Sequence, residues 1–211
     1  MGTLAVATVE LYTWDKRVEM EGDRPVRENL LDADAVDAAL LADALRDRTA
    51  FASLYRRYVD AVYGYCRRRL DEPDAEDATS HIFTQALSKL DTCRGPSFRA
   101  WLFTIAHNVV IDRQRKKKST VALDETFDLS SNDRSPEEHA LEADRKQRLE
   151  LAIRQLPSDQ RAAVELRLAG LTGIECAQAL GKSPDATRML QHRAFGTLRL
   201  ALADLSPEGR R

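Results

Sequence analysis

Apolar residues return at every third or fourth position through most of this sequence, and that spacing confines the chain to helices. From Thr49 onward, Phe51, Leu54, Tyr55, Tyr58, Val62 and Tyr65 share one face of a helix with about 3.6 residues per turn. A helix beginning at Asp34 places Val36, Leu40, Leu41, Ala44 and Leu45 on a similar stripe. The stretch DEPDAEDA reads as a turn and a helix start, with carboxylates at the positive end of the helix dipole. That third helix is predicted to run to about Leu90 and to bury Ala78, Ile82, Phe83, Ala86 and Leu87, after which DTCRGP forms a loop. A fourth helix, capped by Ser97, buries Trp101, Leu102, Ile105, Ala106 and Val109 and leaves Asn108, Asp112 and Arg115 on its open face. Helix resumes from about Pro136 to Gln155, LPSDQR marks a turn with a fresh cap at Ser158, and three further helices follow. With no strand-rich region competing, the predicted class is all-α.

Composition fits a protein able to bury real cores, since apolar residues make up 43% of the chain and charged residues 31%. No apolar run approaches the roughly 20 residues that cross a bilayer, so a cytoplasmic protein without membrane insertion is expected. Cys66, Cys93 and Cys176 are far apart and form no CxxC pair, and they read as buried free thiols.

The net charge of −2 hides an alternation along the chain. Residues 1–50 hold 6 basic and 11 acidic side chains, residues 51–118 hold 13 and 8, residues 119–144 hold 1 and 8, and residues 145–211 hold 12 and 7. Two basic blocks are thus separated by an acidic one. A polyanion responds to the field of such a patch and not to the whole-molecule charge, although solvated helix faces produce the same alternation.

These features divide the chain into an N-terminal extension over residues 1–32, mobile or partner-dependent, two helical domains over 33–118 and 141–205, and an acidic flexible linker over 119–140. Near the end, GLTGIECAQALGKSPDATRMLQHRAFGTL carries a corner. Thr172 caps a helix with Ile174, Ala177 and Leu180 inward, Gly181 ends it, and Ser183 with Pro184 restarts the chain as a new helix. Thr187, Leu190, Ala194 and Leu198 then face inward, which turns Arg188, Met189, His192 and Arg193 outward. A recognition helix presents side chains to the DNA major groove in this way. Taken alone, the pattern also describes a surface helix of a small bundle.

The strings AFASLYRRYVDAVYGYCRRRL, AEDATSHIFTQAL and SFRAWLFTIAHNVVIDRQRKK closely resemble region 2 of the extracytoplasmic-function (ECF) sigma factors, and LPSDQRAAVELRLAGLTGIECAQALGKSPDATRMLQHRAFGTL resembles their region 4. The likeness spans residues 34 to 203, including order and spacing. It implies a subunit that binds core RNA polymerase through the β′ clamp helices and the β flap, melts the promoter −10 element with region 2 and reads the −35 element with region 4. It assigns Asn108, Asp112 and Arg113 to the −10 strand, Arg94 to a loop beside an extruded base, and Arg115, Lys116, Lys117 and Lys118 to phosphates. Core packing is the competing role for Trp101 and Phe103. On the second domain it assigns Arg188, His192 and Arg193 to the −35 element and Ser183 and Thr187 to phosphate, with Arg161 and Arg167 as further backbone contacts. Glu76, Asp77, Ser80 and His81 fall where the family grips polymerase, but Ser80 and His81 depart from its usual Gln and Glu. An anti-sigma factor is an implied partner, and the linker carboxylates are candidates to occupy a basic channel of polymerase.

The alternative is a helix-turn-helix regulator that binds duplex operator DNA without polymerase. An enzyme is not expected, because no glycine loop, metal-spaced cluster or nucleophile motif is present, and no cofactor is expected.

Overall fold

The computed structural model describes residues 24–94, 97–120 and 138–202, with side chains over 34–94, 97–117 and 147–201. The expectations for residues 1–23, the loop at Gly95 and Pro96, most of the acidic linker, the Lys118 side chain and the end at 203–205 lie outside the described residues. Among those described, eight α-helices and two short 3-10 turns account for the regular structure, and no strand occurs.

The helices are α1 (Arg24–Arg46), α2 (Phe51–Arg67), α3 (Glu72–Ser88), α4 (Phe98–Thr120), α5 (Glu138–Gln155), α6 (Ser158–Leu168), α7 (Gly173–Leu180) and α8 (Pro184–Leu202). The first begins at Arg24, before the Asp34 start that its apolar stripe suggests. Pro25 in the first turn is compatible with that start, because a first-turn N–H has no intrahelical acceptor.

The described residues fall into two compact units that do not follow chain order. One unit takes α1 to α4 together with the stretch from Glu165 to Thr187, including all of α7. Its core joins Leu54, Val62, Tyr65, Ile82, Leu102 and Phe103 to Leu166, Leu171, Cys176 and Ala179. Aromatic edges lock the helices together, with Phe83 at 4.7 Å from Tyr55 and Phe103 at 5.8 Å from Tyr65. Such contacts add about 0.5–1.5 kcal/mol each beyond the burial of area. The other unit takes α5, the first part of α6 and α8 from Arg188 onward, and buries Leu149, Ile153, Leu156, Ala163, Ala194 and Leu198.

Four details of the inward faces differ from the sequence pattern, the first being that Tyr55 of α2, expected inward, is 43% exposed. Val36 and Leu45 of α1 are exposed, and Asp37 takes the inward position, only 2% exposed. Its carboxylate accepts the Tyr58 hydroxyl proton and pairs with Arg57 Nε at 2.7 Å, which makes burial of the charge tolerable. Leu87 stays at the rim of α3. On α7, Ile174 is 65% exposed while Glu175, Cys176, Ala177 and Ala179 are buried. This eight-residue helix lies along α4, and that neighbour, not the apolar pattern, decides which side turns inward.

Candidate nucleic-acid interface

The long helix α4 carries the first set of candidates. Ser97 caps it, its hydroxyl accepting the Ala100 N–H at 3.2 Å, and Leu102, Phe103, Ala106 and Val110 are fully buried. Trp101 is half-buried, stacked obliquely on Phe98 at 5.7 Å. Asn108, Asp112, Arg115 and Lys116 lie exposed along the opposite side. Asn108, Asp112 and Arg115 share the wall of a polar cavity of about 510 Å³ with His107 of the same helix and with Gln178 and Gly181 from α7 and its C-terminal turn. Arg94 is exposed just before α4.

The basic end of α4 is partly neutralised within its own unit. Arg113 Nη2 donates to Asp77 at 2.7 Å, and Lys117 Nζ donates to Asp71 at 2.6 Å, with Asp74 at 3.7 Å. The Lys117 ammonium, by bonding Asp71, holds that carboxyl below its ordinary value, and the same bond raises the lysine. Arg113 therefore turns toward the acidic start of α3, away from the row formed by Asn108, Asp112 and Arg115. The candidates on α3 lie at the same place: Glu76, Asp77, Ser80 and His81 are all exposed, and the His81 ring shares a 2.7 Å hydrogen bond with Gln85.

The corner between α7 and α8 forms as its residues dictate. Thr172 accepts the Glu175 N–H at 3.2 Å, and the Glu175 carboxylate reaches back to the Thr172 N–H at 2.8 Å, a capping box. Gly181 ends α7 with φ of 62°, the left-handed region that glycine enters without a Cβ clash. Ser183 then accepts the Ala186 N–H at 3.2 Å and starts α8. Along α8, Arg188, Met189, His192 and Arg193 are exposed, while Thr187, Gln191, Ala194 and Leu198 are buried. Thr187 is completely enclosed, so its hydroxyl does not reach a phosphate in this arrangement; Ser183 stays exposed. Arg161 and Arg167 are half-buried, and Arg167 donates to the Leu171 carbonyl.

The residues that sequence reasoning missed are buried ion-pair partners. Arg69 Nε lies 2.7 Å from Glu165 Oε2, with both side chains at 2% exposure or less. Glu175, beyond its capping role, accepts from Arg99 Nε at 2.9 Å and from Ser97 Oγ at 2.5 Å. The Thr-x-x-Glu spacing of the capping box is the one sequence signal that points to Glu175. All three cysteine thiols are buried, and burial pushes Cys66 and Cys93 up to about 11 and Cys176 up to about 12, so they are unreactive at neutral pH.

No described helix is long and apolar enough to cross a membrane. Residues 54–120 match the family model for Sigma-70 region 2, and residues 146–208 match the one for Sigma-70 region 4. The chain is 39% identical over 161 residues to the ECF RNA polymerase sigma factor BldN of Streptomyces coelicolor, covering 74% of this chain and 61% of that protein. It is 36% identical over 154 residues to ShbA of Streptomyces griseus, covering 66% of this chain and 80% of the relative. Against Mycobacterium tuberculosis SigD the identity is 30% over 179 residues, covering 80% of this chain and 84% of the relative. Among solved structures, CnrH in complex with the cytosolic domain of CnrY aligns with a TM-score of 0.59 at 26% identity, over 80% of this chain and 97% of that one. The sigma factor RpoE of Bartonella quintana, bound there to the anti-sigma factor NepR, shares the fold with a TM-score of 0.59 at 21% identity, over 76% of this chain and 98% of that one. With both regions present in order, the chain belongs to the ECF RNA polymerase sigma factors.

Proposed function

We propose that this chain binds core RNA polymerase in the cytoplasm, directs it to promoters and opens them, without catalytic activity of its own. The observation that carries the reading is the coexistence, in one chain that matches both sigma regions, of an exposed polar row on α4 and an exposed basic row on α8. Residues 33–118 and 141–205 act as the two functional modules. In the first, Asn108 and Asp112 meet the bases of the opened −10 strand, Arg94 stands beside an extruded base, and Arg115 and Lys116 hold phosphates. Holding unpaired DNA calls for such a mix of cationic and hydrogen-bonding groups. In the second, Arg188, His192 and Arg193 lie along the −35 major groove, with Ser183 at its phosphate edge.

Polymerase is gripped by the exposed carboxylates Glu76 and Asp77, with Ser80 and His81 supplying neutral contacts at the β′ clamp helices, while the second module meets the β flap. The solved sigma factor RpoE is held together with the anti-sigma factor NepR, and CnrH with the cytosolic domain of CnrY, and an anti-sigma factor is the corresponding partner for this chain. Run-off transcription with core polymerase over a genomic promoter library tests the reading. Discrete start sites that depend on the added chain are expected, with permanganate-reactive thymines near −10. Binding to intact duplex alone, with no polymerase-dependent opening, would replace it with an operator-binding regulator.

A further inference from the structure

The basic row on α8 has an apolar member that charge does not explain. At about 100° of turn per residue, Met189 falls between His192 and Arg193 on the helix surface, about 60° from the first and about 40° from the second. It stands about 180° from Leu198, which with Ala194 and Gln191 forms the buried side of α8. The fold therefore points Met189 outward as squarely as it points Leu198 inward, and 48% of it is exposed. Arg188, His192 and Arg193 around it are exposed as well.

A single apolar side chain on a protein surface is ordinary. What sets Met189 apart is its position inside a row of cationic and hydrogen-bonding groups. A thioether offers a phosphate neither charge nor a hydrogen-bond donor, so Met189 adds nothing to the attraction that its neighbours exert on a polyanion. In a major groove it has one natural counterpart. Of the groups that the bases present there, the thymine C5-methyl is the apolar one, and the rest are hydrogen-bond donors and acceptors. Methionine, unbranched and polarisable, adapts to a small apolar partner of that kind.

The same line of the helix is open to close approach. Gly196 lies seven residues further on, about 20° from the direction of Met189. It is exposed, and a Cβ built there meets nothing within 4 Å, so no neighbour inside the protein calls for glycine at this helical position. A missing side chain suits a helix face laid against a groove wall.

We propose that Met189 is a specificity-determining residue of the −35 contact, packing on the C5-methyl of one thymine while Arg188, His192 and Arg193 make the polar contacts around it. The proposal rests on the functional reading above, which lays α8 in the −35 major groove, and adds to it the base group that is read. Removing the methyl from that thymine and truncating Met189 abolish the same contact. Each change therefore has little effect once the other has been made. Burial of one methyl-sized apolar group corresponds to about a fourfold change in affinity.

Deoxyuridine tests this directly, because it lacks only the methyl and keeps the O4 acceptor and the pairing of thymidine. Holoenzyme is assembled from core polymerase and the full chain, and bound to promoter fragments taken from the run-off library. Each thymine on either strand of the −35 element is replaced in turn by deoxyuridine, and affinities are read from competition gel shifts. With the unsubstituted chain, deoxyuridine at one position should weaken binding about fourfold. With Met189→Ala, the thymine promoter should be weakened by a similar factor, and deoxyuridine at that position should have no further effect.

A −35 element in which no thymine responds to deoxyuridine, or which contains no thymine, would overturn the proposal. So would a methyl effect that persists undiminished in Met189→Ala, since another group then reads the methyl. Weakening by Met189→Ala that is equal on the thymine and on every deoxyuridine fragment would also overturn it, marking a contact to the DNA backbone or to polymerase. Each of these outcomes leaves promoter binding intact and bears on Met189 alone. Failure of the holoenzyme to bind any fragment would instead remove the functional reading, and this contact with it.

Discussion

Arg113 on α4 donates to Asp77 on α3 at 2.7 Å, so one residue assigned to DNA and one assigned to polymerase satisfy each other across the first unit. Asp77 is 76% exposed in its side chain, and a pair that open to water is worth about 0–1 kcal/mol. Asp77→Asn is expected to move the urea midpoint by little and to weaken core polymerase binding, checked by denaturation and by a fluorescence titration with core enzyme. A loss of stability above about 2 kcal/mol would contradict the assignment of this pair as a surface contact.

Asn108 and Arg188 are both exposed, so alanine at either is expected to change folding stability by no more than about 0.5 kcal/mol. Their functional effects should separate. Asn108→Ala is expected to impair promoter opening more than initial binding, read from permanganate reactivity against gel-shift affinity. Arg188→Ala is expected to relax preference at one −35 position by about 1–3 kcal/mol, read from competition among −35 variants. Equal opening by both variants and by the unsubstituted chain would remove these assignments.

The α7–α8 corner rests on two local devices whose costs are separable. Gly181 has φ of 62°, and a Cβ placed there meets nothing within 4 Å, so Gly181→Ala is penalised by backbone conformation alone, about 1–2 kcal/mol. Asn, which tolerates the left-handed region better, should recover part of that loss. Thr172→Ala removes half of the capping box and is expected to cost about 1 kcal/mol. Urea titrations of the three variants check the order.

Acid should act through Glu175, whose carboxylate pairs with Arg99 and Ser97. Burial alone raises its carboxyl, but the Arg99 guanidinium, the Ser97 hydroxyl and the Thr172 N–H outweigh burial and hold it below its ordinary 4.5. A carboxyl lower in the folded than in the unfolded state adds stability that is complete above the unfolded value and disappears as pH falls through the folded one. Asp34 works in the opposite sense, raised by burial and by the Glu175 charge. The difference between the intact chain and Glu175→Gln isolates the first effect. It should be constant at neutral pH and shrink below about 4.5, measured as the difference in urea midpoint across that range.

Much of the helical plan was legible because periodicity and caps act locally. The run from Phe51 to Tyr65, Tyr55 excepted, the Ser97 cap, the Thr172 cap and the Gly181 corner are each encoded within a few residues of one another, and these appear where the spacing puts them. Of the candidate site, exposure of Asn108, Asp112, Arg188, His192 and Arg193 followed from the same arithmetic. Thr187 shows the limit of the motif, since its position in the pattern suggested a phosphate contact while its place on the inward stripe encloses it. Asp37 and Glu165 were not legible as core residues, because a carboxylate enters a core only where a distant partner compensates it.

Sequence alone determined that this chain would be helical, where its helices would turn, and which family of transcription factors it would join, since all of these are written in short-range spacing and in recurring strings of residues. Which face of α7 turns inward, and which carboxylates are buried with arginines 76 and 96 positions away, was decided only by the tertiary structure. The physical reason is that an eight-residue helix carries too few apolar residues to choose a face for itself, so the surface it docks on chooses for it.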